Sequence, residues 1–359
     1  MIKQSLHIFL VFFGLTFMSS CVSDIEFDTI QDSESILAIQ GTLVQGSPHV
    51  FTARIQSVAG FASSVSGVIA SRVTLTNDLG QEIEVPRLST IFYRLEIPEN
   101  SEDFVVEDFM SFRLTVFSND NRTFESTMEQ LLPVPEIEDI SFSLVERQEI
   151  GAVGTLEPVT KIGININTPT TIPGTTDIVS LRWTFEEVFS VTDIPPSDFI
   201  EPKTCFITQS LGATVEQVIN PGELGVQRLQ DFNVFDHNIT VNHAERNFFV
   251  ALQQSLTPTA FTYFNTISEL INREASIFTA PAGQIPSNFV NINDPNDQVF
   301  GYFYATSIDT ARVFIPAESV GITAPRCPVT SMRPTACPDA ICCDCLDTEN
   351  STLEKPSFW

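Results

Sequence analysis

The sequence predicts a mainly β protein made of two β-sandwich domains. The first is expected to be Ig-like or transthyretin-like, and the second to carry an inserted helix and a disulfide-rich C-terminal tail. Three observations lead there. Apolar and polar residues alternate at period two in many short runs, such as SFRLTVFS over 111–118, as a strand with one buried face requires. Twenty-two prolines and turn signals such as Gly46-Ser47-Pro48 and Ser118-Asn119-Asp120-Asn121 suit strands and tight turns better than a helical bundle. A composition 43% hydrophobic and 18% charged belongs to a chain that buries a core, and 359 residues suffice for about two domains.

Residues 1–20 stand apart from the fold. Lys3 precedes an apolar run from Ile8 to Phe17, and small residues follow before Cys21, which is the layout of a secretory signal. The run is about half the roughly twenty residues that a spanning helix needs. Met18-Ser19-Ser20-Cys21 resembles a lipobox, with Met where Leu is more usual, so Cys21 is the expected lipidation site; the alternative is a plain cleavage site beside a chance Cys. Acyl chains at Cys21 would contribute about 0.8 kcal/mol per buried methylene, enough in number for a lasting anchor. Residues 21–35 then form an acidic tether. Its Asp24, Glu26 and Asp28 read either as a surface-export signal or as a solvated linker.

The first sandwich is expected over 36–132, with strands at 36–43, 50–58, 71–77, 81–85, 91–97, 111–118 and 122–126. Seven short strands in about a hundred residues suggest a sandwich. LLPVPEIEDI ends it, because Pro133 and Pro135 lack backbone donors and favour an extended linker. A second β-rich domain follows over 136–320, with longer strands at 140–146, 159–167, 178–189, 247–256, 298–307 and 311–316. A helix near 258–276 interrupts it: Ala260, Phe264, Ile267 and Ile271 share a face at helical spacing, Thr257 can cap, and Pro258 suits the first helical position. Residues 321–359 form the Cys-rich tail.

Eighteen basic against 45 acidic residues give a net charge of −27, one unit more negative once Lys3 leaves with the signal. Such a chain repels phosphate backbones and anionic head groups, which argues against nucleic acid and against membrane contact beyond a lipid anchor.

With Cys21 taken by lipid, Cys205, Cys327, Cys337, Cys342, Cys343 and Cys345 remain. Structural zinc favours two C-x2-4-C pairs, a spacing these residues do not follow, and an exported chain meets an oxidising compartment. Three disulfides are expected, with pairing unassigned and Cys205 tying the tail to the second domain; no metal site and no cofactor is expected. Among the histidines, Asp236-His237 near His243 is the nearest thing to a cluster and is read as a surface loop. No G-x-S-x-G or H-E-x-x-H pattern occurs, so no catalytic residue is assigned. The oxygen-rich stretch Asn291–Asp297 lacks the Gly and terminal Glu of a calcium loop and reads as a turn. Phe358 and Trp359 either anchor a partner or plug the tail against the second domain.

The segments FRLTVFSNDNRTFES, PVPEIEDISF, FTYFNTISELINR, SNFVNINDPNDQVFGYFYAT and CCDCLDTENSTLEKPSFW together resemble a Bacteroidetes lipoprotein family catalogued as a domain of unknown function, DUF4249. Similar proteins end in a Cys-Cys-x-Cys cluster and a Lys-Pro-acidic-Phe-Trp tail; here Ser357 stands at the acidic position and the usual Gly pair is missing. The resemblance implies an outer-membrane lipoprotein that accompanies a TonB-dependent transporter. The expectation is therefore a surface-exposed, non-catalytic accessory or binding subunit in nutrient uptake, taking a peptide or glycan ligand. A structural or assembly subunit of an outer-membrane complex is the first alternative, and a surface hydrolase of peptides or glycans the second.

Overall fold

The computed structural model describes residues 36–58, 66–67, 70–151, 154–195, 199–211, 217–271, 285–322, 324–328 and 339–359. The expected signal, Cys21 with its acidic tether (Asp24, Glu26, Asp28), Cys337 and the helix extension over 272–276 lie outside the described residues. Strand makes up 52% of the structure and helix 11%, so the chain is mainly β. No described helix is long and apolar enough to cross a membrane.

The N-terminal region supplies β1 (Ile36–Gln45), β2 (His49–Val58), β3 (Ser66–Gly67), β4 (Ala70–Asn77), β5 (Glu82–Glu84), β6 (Phe92–Ile97), β7 (Ser111–Ser118), β8 (Thr123–Ser126) and β9 (Glu129–Gln130). Beyond the prolines come β10 (Asp139–Ile150), β11 (Leu156–Pro169), β12 (Ser180–Thr192), β13 (Thr204–Ser210), β14 (Gln217–Ile219), β15 (Arg228–Asn238), β16 (Asn247–Leu256), β17 (Phe289–Asn291), β18 (Val299–Phe300), β19 (Phe303–Ile315) and β20 (Ser351–Thr352). A short helix α1 (Pro221–Leu224) and the longer α2 (Pro258–Ile271) interrupt them.

The two regions share a sheet. Its strands run β20-β13-β12-β16-β19-β1-β2-β3, with β14, β18 and β6 paired alongside. The join is parallel: Gly41 to Gln45 of β1 face Phe303 to Ser307 of β19, and Leu37 and Ala38 face Val299 and Phe300 of β18. The strand expected over 298–307 is therefore two strands, broken at Gly301, whose φ is +107°. A Cβ there would stand 1.9 Å from the Ile39 carbonyl oxygen, so glycine lets the chain pass close beside β1.

Two cores lie along this shared sheet. Leu37, Ile39, Leu43, Phe51 and Ile55 pack on Val73, Leu75, Phe112, Leu114, Val116 and Phe124 of a second sheet ordered β17-β8-β7-β4-β5, with β9 beside β7. Farther along, Leu181, Trp183, Phe185 and Phe249 face Ile162, Ile164, Ile166 and Phe235 of the sheet β10-β11-β15. Each fully buried side chain of this size contributes about 1.5–3 kcal/mol.

The stretch expected to be a linker at Pro133–Pro135 is extended but strapped to the shared sheet. Val134 N–H donates to Ser307 Oγ at 2.8 Å and Ile137 N–H to Asp309 Oδ2 at 2.7 Å. Gln253 Nε2 donates to the Pro135 carbonyl at 2.7 Å and to Thr168 Oγ1 at 3.0 Å, while its Oε1 accepts from Trp183 Nε1 at 2.8 Å. Boundaries at 132 and 136 consequently do not separate the sheets.

Helix α2 begins at the expected cap, Ala260 N–H donating to Thr257 Oγ1 at 3.2 Å. Its buried face is Ala260, Tyr263 and Phe264, whereas Ile271, expected on that face, is exposed. The helix packs on Tyr302 and Tyr304, where the two regions meet, and not across the second core. Beneath its N-terminus the buried Glu129 accepts from Tyr302 Oη at 2.6 Å, Thr257 Oγ1 at 2.7 Å and Thr259 Oγ1 at 3.2 Å. Burial, then the hydrogen bond and charge of Glu129, push the Tyr302 phenol far above its usual range.

Gly301→Ala should lose about 3 kcal/mol or more of unfolding free energy in urea titration, from backbone strain and the contact with Ile39. A raised phenol pKa stabilises the fold fully below the unfolded value near 10, and the gain is lost as pH rises above it. Wild type should thus lose about 1.4 kcal/mol per pH unit from this group between about pH 10 and 12, a slope that Tyr302→Phe should remove.

Candidate functional site

Three side chains converge at one end of the second core: Glu187 of β12, His237 of β15 and His243 of the 3-10 turn Val241–Ala244. One ligating atom from each lies within 4.8 Å of the other two. Glu187 and His243 are fully buried and His237 half-buried, which corrects the surface loop expected around Asp236, His237 and His243. His237 is the penultimate residue of β15, a strand not expected from the sequence. His243 turns inward because Thr240 caps its turn, the Thr240 hydroxyl accepting from Asn242 N–H at 3.3 Å.

The carboxylate is held from behind. Asn247 Nδ2 donates to Glu187 Oε1 at 2.7 Å and Asn242 Nδ2 to Oε2 at 3.0 Å. His243 Nε2 stands 3.7 Å from Oε1, beyond hydrogen-bond length. His237 Nε2 and His243 Nε2 are both buried and meet no hydrogen-bond partner among the described residues. The Phe249 ring packs beside both imidazoles, with centroids 5.1 and 6.0 Å away. Burial is the main cause that lowers the His237 pKa; the charges of His243 and Lys161 act the same way and that of Glu187 opposes them. His237 is accordingly a neutral imidazole with a lone pair to offer at neutral pH.

Glu187 had a signal in the sequence. It follows Leu181, Trp183 and Phe185 at period two on the inward face of β12, and a carboxylate at an inward position needs a partner.

The tail is clasped to the β13 edge of the shared sheet. Cys205 of β13 is bonded to Cys345, closing 140 residues, and Cys327 to Cys342; Cys343 is also disulfide-bonded. Buried Asp193 accepts from Lys203 Nζ at 2.8 Å and from Cys345 N–H at 3.3 Å, and Lys203 also meets Asp344 at 2.9 Å. Beyond the cysteines β20 pairs with β13. The chain then lays Phe358 and Trp359 on Phe248, ring centroids 5.4 and 5.2 Å away, under the guanidinium groups of Arg312 and Arg246. Phe248 and Val250 point away from Phe249 and Ala251, so these aromatics sit on the sheet face opposite the second core. Both rings are half-buried.

In the Asn291–Asp297 loop the oxygens are used internally. Asp297 Oδ2 accepts from Asn291 Nδ2 at 2.9 Å and Arg122 at 3.1 Å, and Asn293 Oδ1 accepts from Thr123 N–H at 2.9 Å. A separate cleft of about 460 Å³ opens between α2 and the β1–β2 pair, lined by Gln40, Arg54, Gln56, Tyr263, Ile285 and Phe300 among others.

A family model described as Domain of unknown function (DUF4249) matches residues 22–312. The chain belongs to the DUF4249 family. The DUF4249 match takes in Glu187, His237, His243 and Cys205, whereas the bonded partner Cys345 stands beyond it. No curated protein and no solved structure matches the chain.

Removing the long-range bridge tests the clasp. Cys205→Ser combined with Cys345→Ser should cost about 2–5 kcal/mol in guanidinium unfolding. Amide exchange should quicken at Ser351 and Thr352 while Phe249 stays protected.

Proposed function

We propose that this protein is a lipoprotein of the outer membrane, anchored through Cys21 and facing the cell exterior. It serves as a non-catalytic accessory or binding subunit of a TonB-dependent nutrient transporter. The observation that carries this reading is the apolar run that ends in Met18-Ser19-Ser20-Cys21 and is followed by Asp24, Glu26 and Asp28. A strongly acidic chain with such an N-terminus is kept at the membrane by acyl chains alone, since its charge opposes adsorption to anionic lipid.

Membership of the DUF4249 family is compatible with this reading and names no partner. The two cores correspond to two sandwich-like halves that share a sheet, and the cleft at Arg54 and Tyr263 offers apolar walls with amide and guanidinium donors, a lining suited to a peptide or glycan. The half-buried rings of Phe358 and Trp359 keep an accessible edge on which a partner could close.

The anchor and the partner are tested separately. Wild type expressed in its own membranes should carry an acyl mass at Cys21, and Cys21→Ser should lose it and appear in the soluble fraction. Crosslinking in native membranes with mass spectrometry should recover a TonB-dependent barrel as the main partner. Recovery of assembly machinery alone would favour the structural subunit. Turnover of a peptide or glycan, lost on His237→Ala or His243→Ala, would favour the hydrolase.

A further inference from the structure

The cluster at the end of the second core has a feature that neither packing nor the function proposed above explains. Two imidazole nitrogens, His237 Nε2 and His243 Nε2, are buried side by side without a hydrogen-bond partner among the described residues. Leaving such a group unpaired in the interior is costly, and here two are left unpaired around one fully buried carboxylate. We propose that Glu187, His237 and His243 bind a divalent transition-metal ion of the zinc type, with a water completing the fourth position.

The donor set fits that ion. Two imidazoles and a carboxylate are borderline nitrogen and oxygen ligands of the kind zinc accepts, and three protein ligands with one open position is an established coordination pattern for it. Calcium and magnesium prefer all-oxygen shells. Ligand atoms 2.0–2.1 Å from a tetrahedral ion stand about 3.3 Å apart. His243 Nε2 and Glu187 Oε1 are 3.7 Å apart, close to that spacing. The widest separations, up to 4.8 Å, require a small inward movement. His237 can supply it, because it is half-buried at the rim while the other two are locked.

The surroundings orient the ligands as a metal site needs. His243 Nδ1 faces the Thr240 backbone, 3.0 Å from its carbonyl and accepting from its N–H at 3.2 Å, which holds the ring with Nε2 toward the cluster. Asn242 and Asn247 each occupy one position on a carboxylate oxygen of Glu187 and leave another free. Arg326 donates to Asn242 Oδ1, so the residue before Cys327 is tied through Asn242 to the carboxylate. The ion would link β12, β15 and the Val241–Ala244 turn, with the tail held two hydrogen bonds behind Glu187.

The test uses the full chain without a histidine tag, stripped with a chelator and titrated with zinc chloride under non-reducing conditions. One zinc per chain is expected, and X-ray absorption of the wild-type complex should show a shell of two imidazoles and oxygen without sulfur. His237→Asn and Glu187→Gln should weaken zinc binding at least about a hundredfold, and Asn242→Ala about ten- to a hundredfold. The proposal is overturned if wild type takes up no stoichiometric zinc, if the shell contains cysteine sulfur, or if folded His237→Asn and Glu187→Gln bind as tightly as wild type. Should those variants not fold, the wild-type absorption spectrum decides alone, since it needs no substitution.

Discussion

The architecture depends on one strand pairing. β1 lies parallel to β18 and β19, bringing together segments about 260 residues apart in the chain. A parallel pair cannot be closed by a tight turn and needs a long crossover; here almost the whole described chain is that crossover. Because β1 also pairs with β2, which in turn carries β6, this pairing fuses what would be two separate sheets and makes the two cores neighbours. Gly41 and Gly301 permit the close approach, since a side chain at Gly41 would meet Leu114 and Phe303. Glu129 then fixes the seam by drawing donors from the helix N-terminus and from Tyr302 onto a strand of the other sheet.

Much of the strand content was legible locally. The run at 111–118 coincides with β7, whose alternation leaves little choice of register, and the run at 247–256 with β16, an apolar-rich stretch buried along nearly its whole length. β15 was not legible. Its ladder with β11 slips after Ile164 and again after Ile166, Asp231 adopts φ +46°, and polar residues occupy positions where alternation calls for apolar ones. The prolines at 133 and 135 were read correctly as extended chain and wrongly as a divide, because the groups that strap them, Ser307 and Asp309, are far away in sequence. Local pattern carries no information on such long-range partners.

The same distinction holds for the candidate site. His237 and His243 are close in sequence and could be noticed together, but their shared partner Glu187 lies fifty residues earlier on another strand, and only the fold unites them. The export signal suggested that the cysteines would be oxidised; which residue meets which needed the placement of Cys345 against β13. The N-terminal reading rests on a different kind of signal, one addressed to export machinery and not to a fold, so the sequence alone carries it.

The two-residue strand β20 does little for the core, yet it lies along β13 at the rim of the shared sheet. A strand rim presents a row of open amides and carbonyls that can recruit another chain, and natural sheets blunt it with short or covered strands. Held in place by Cys345, the tail screens that rim and stops after two residues, too short to extend the ladder itself. An uncovered rim there would be a template for end-to-end sheet growth, and this covalently fastened cover takes the template away.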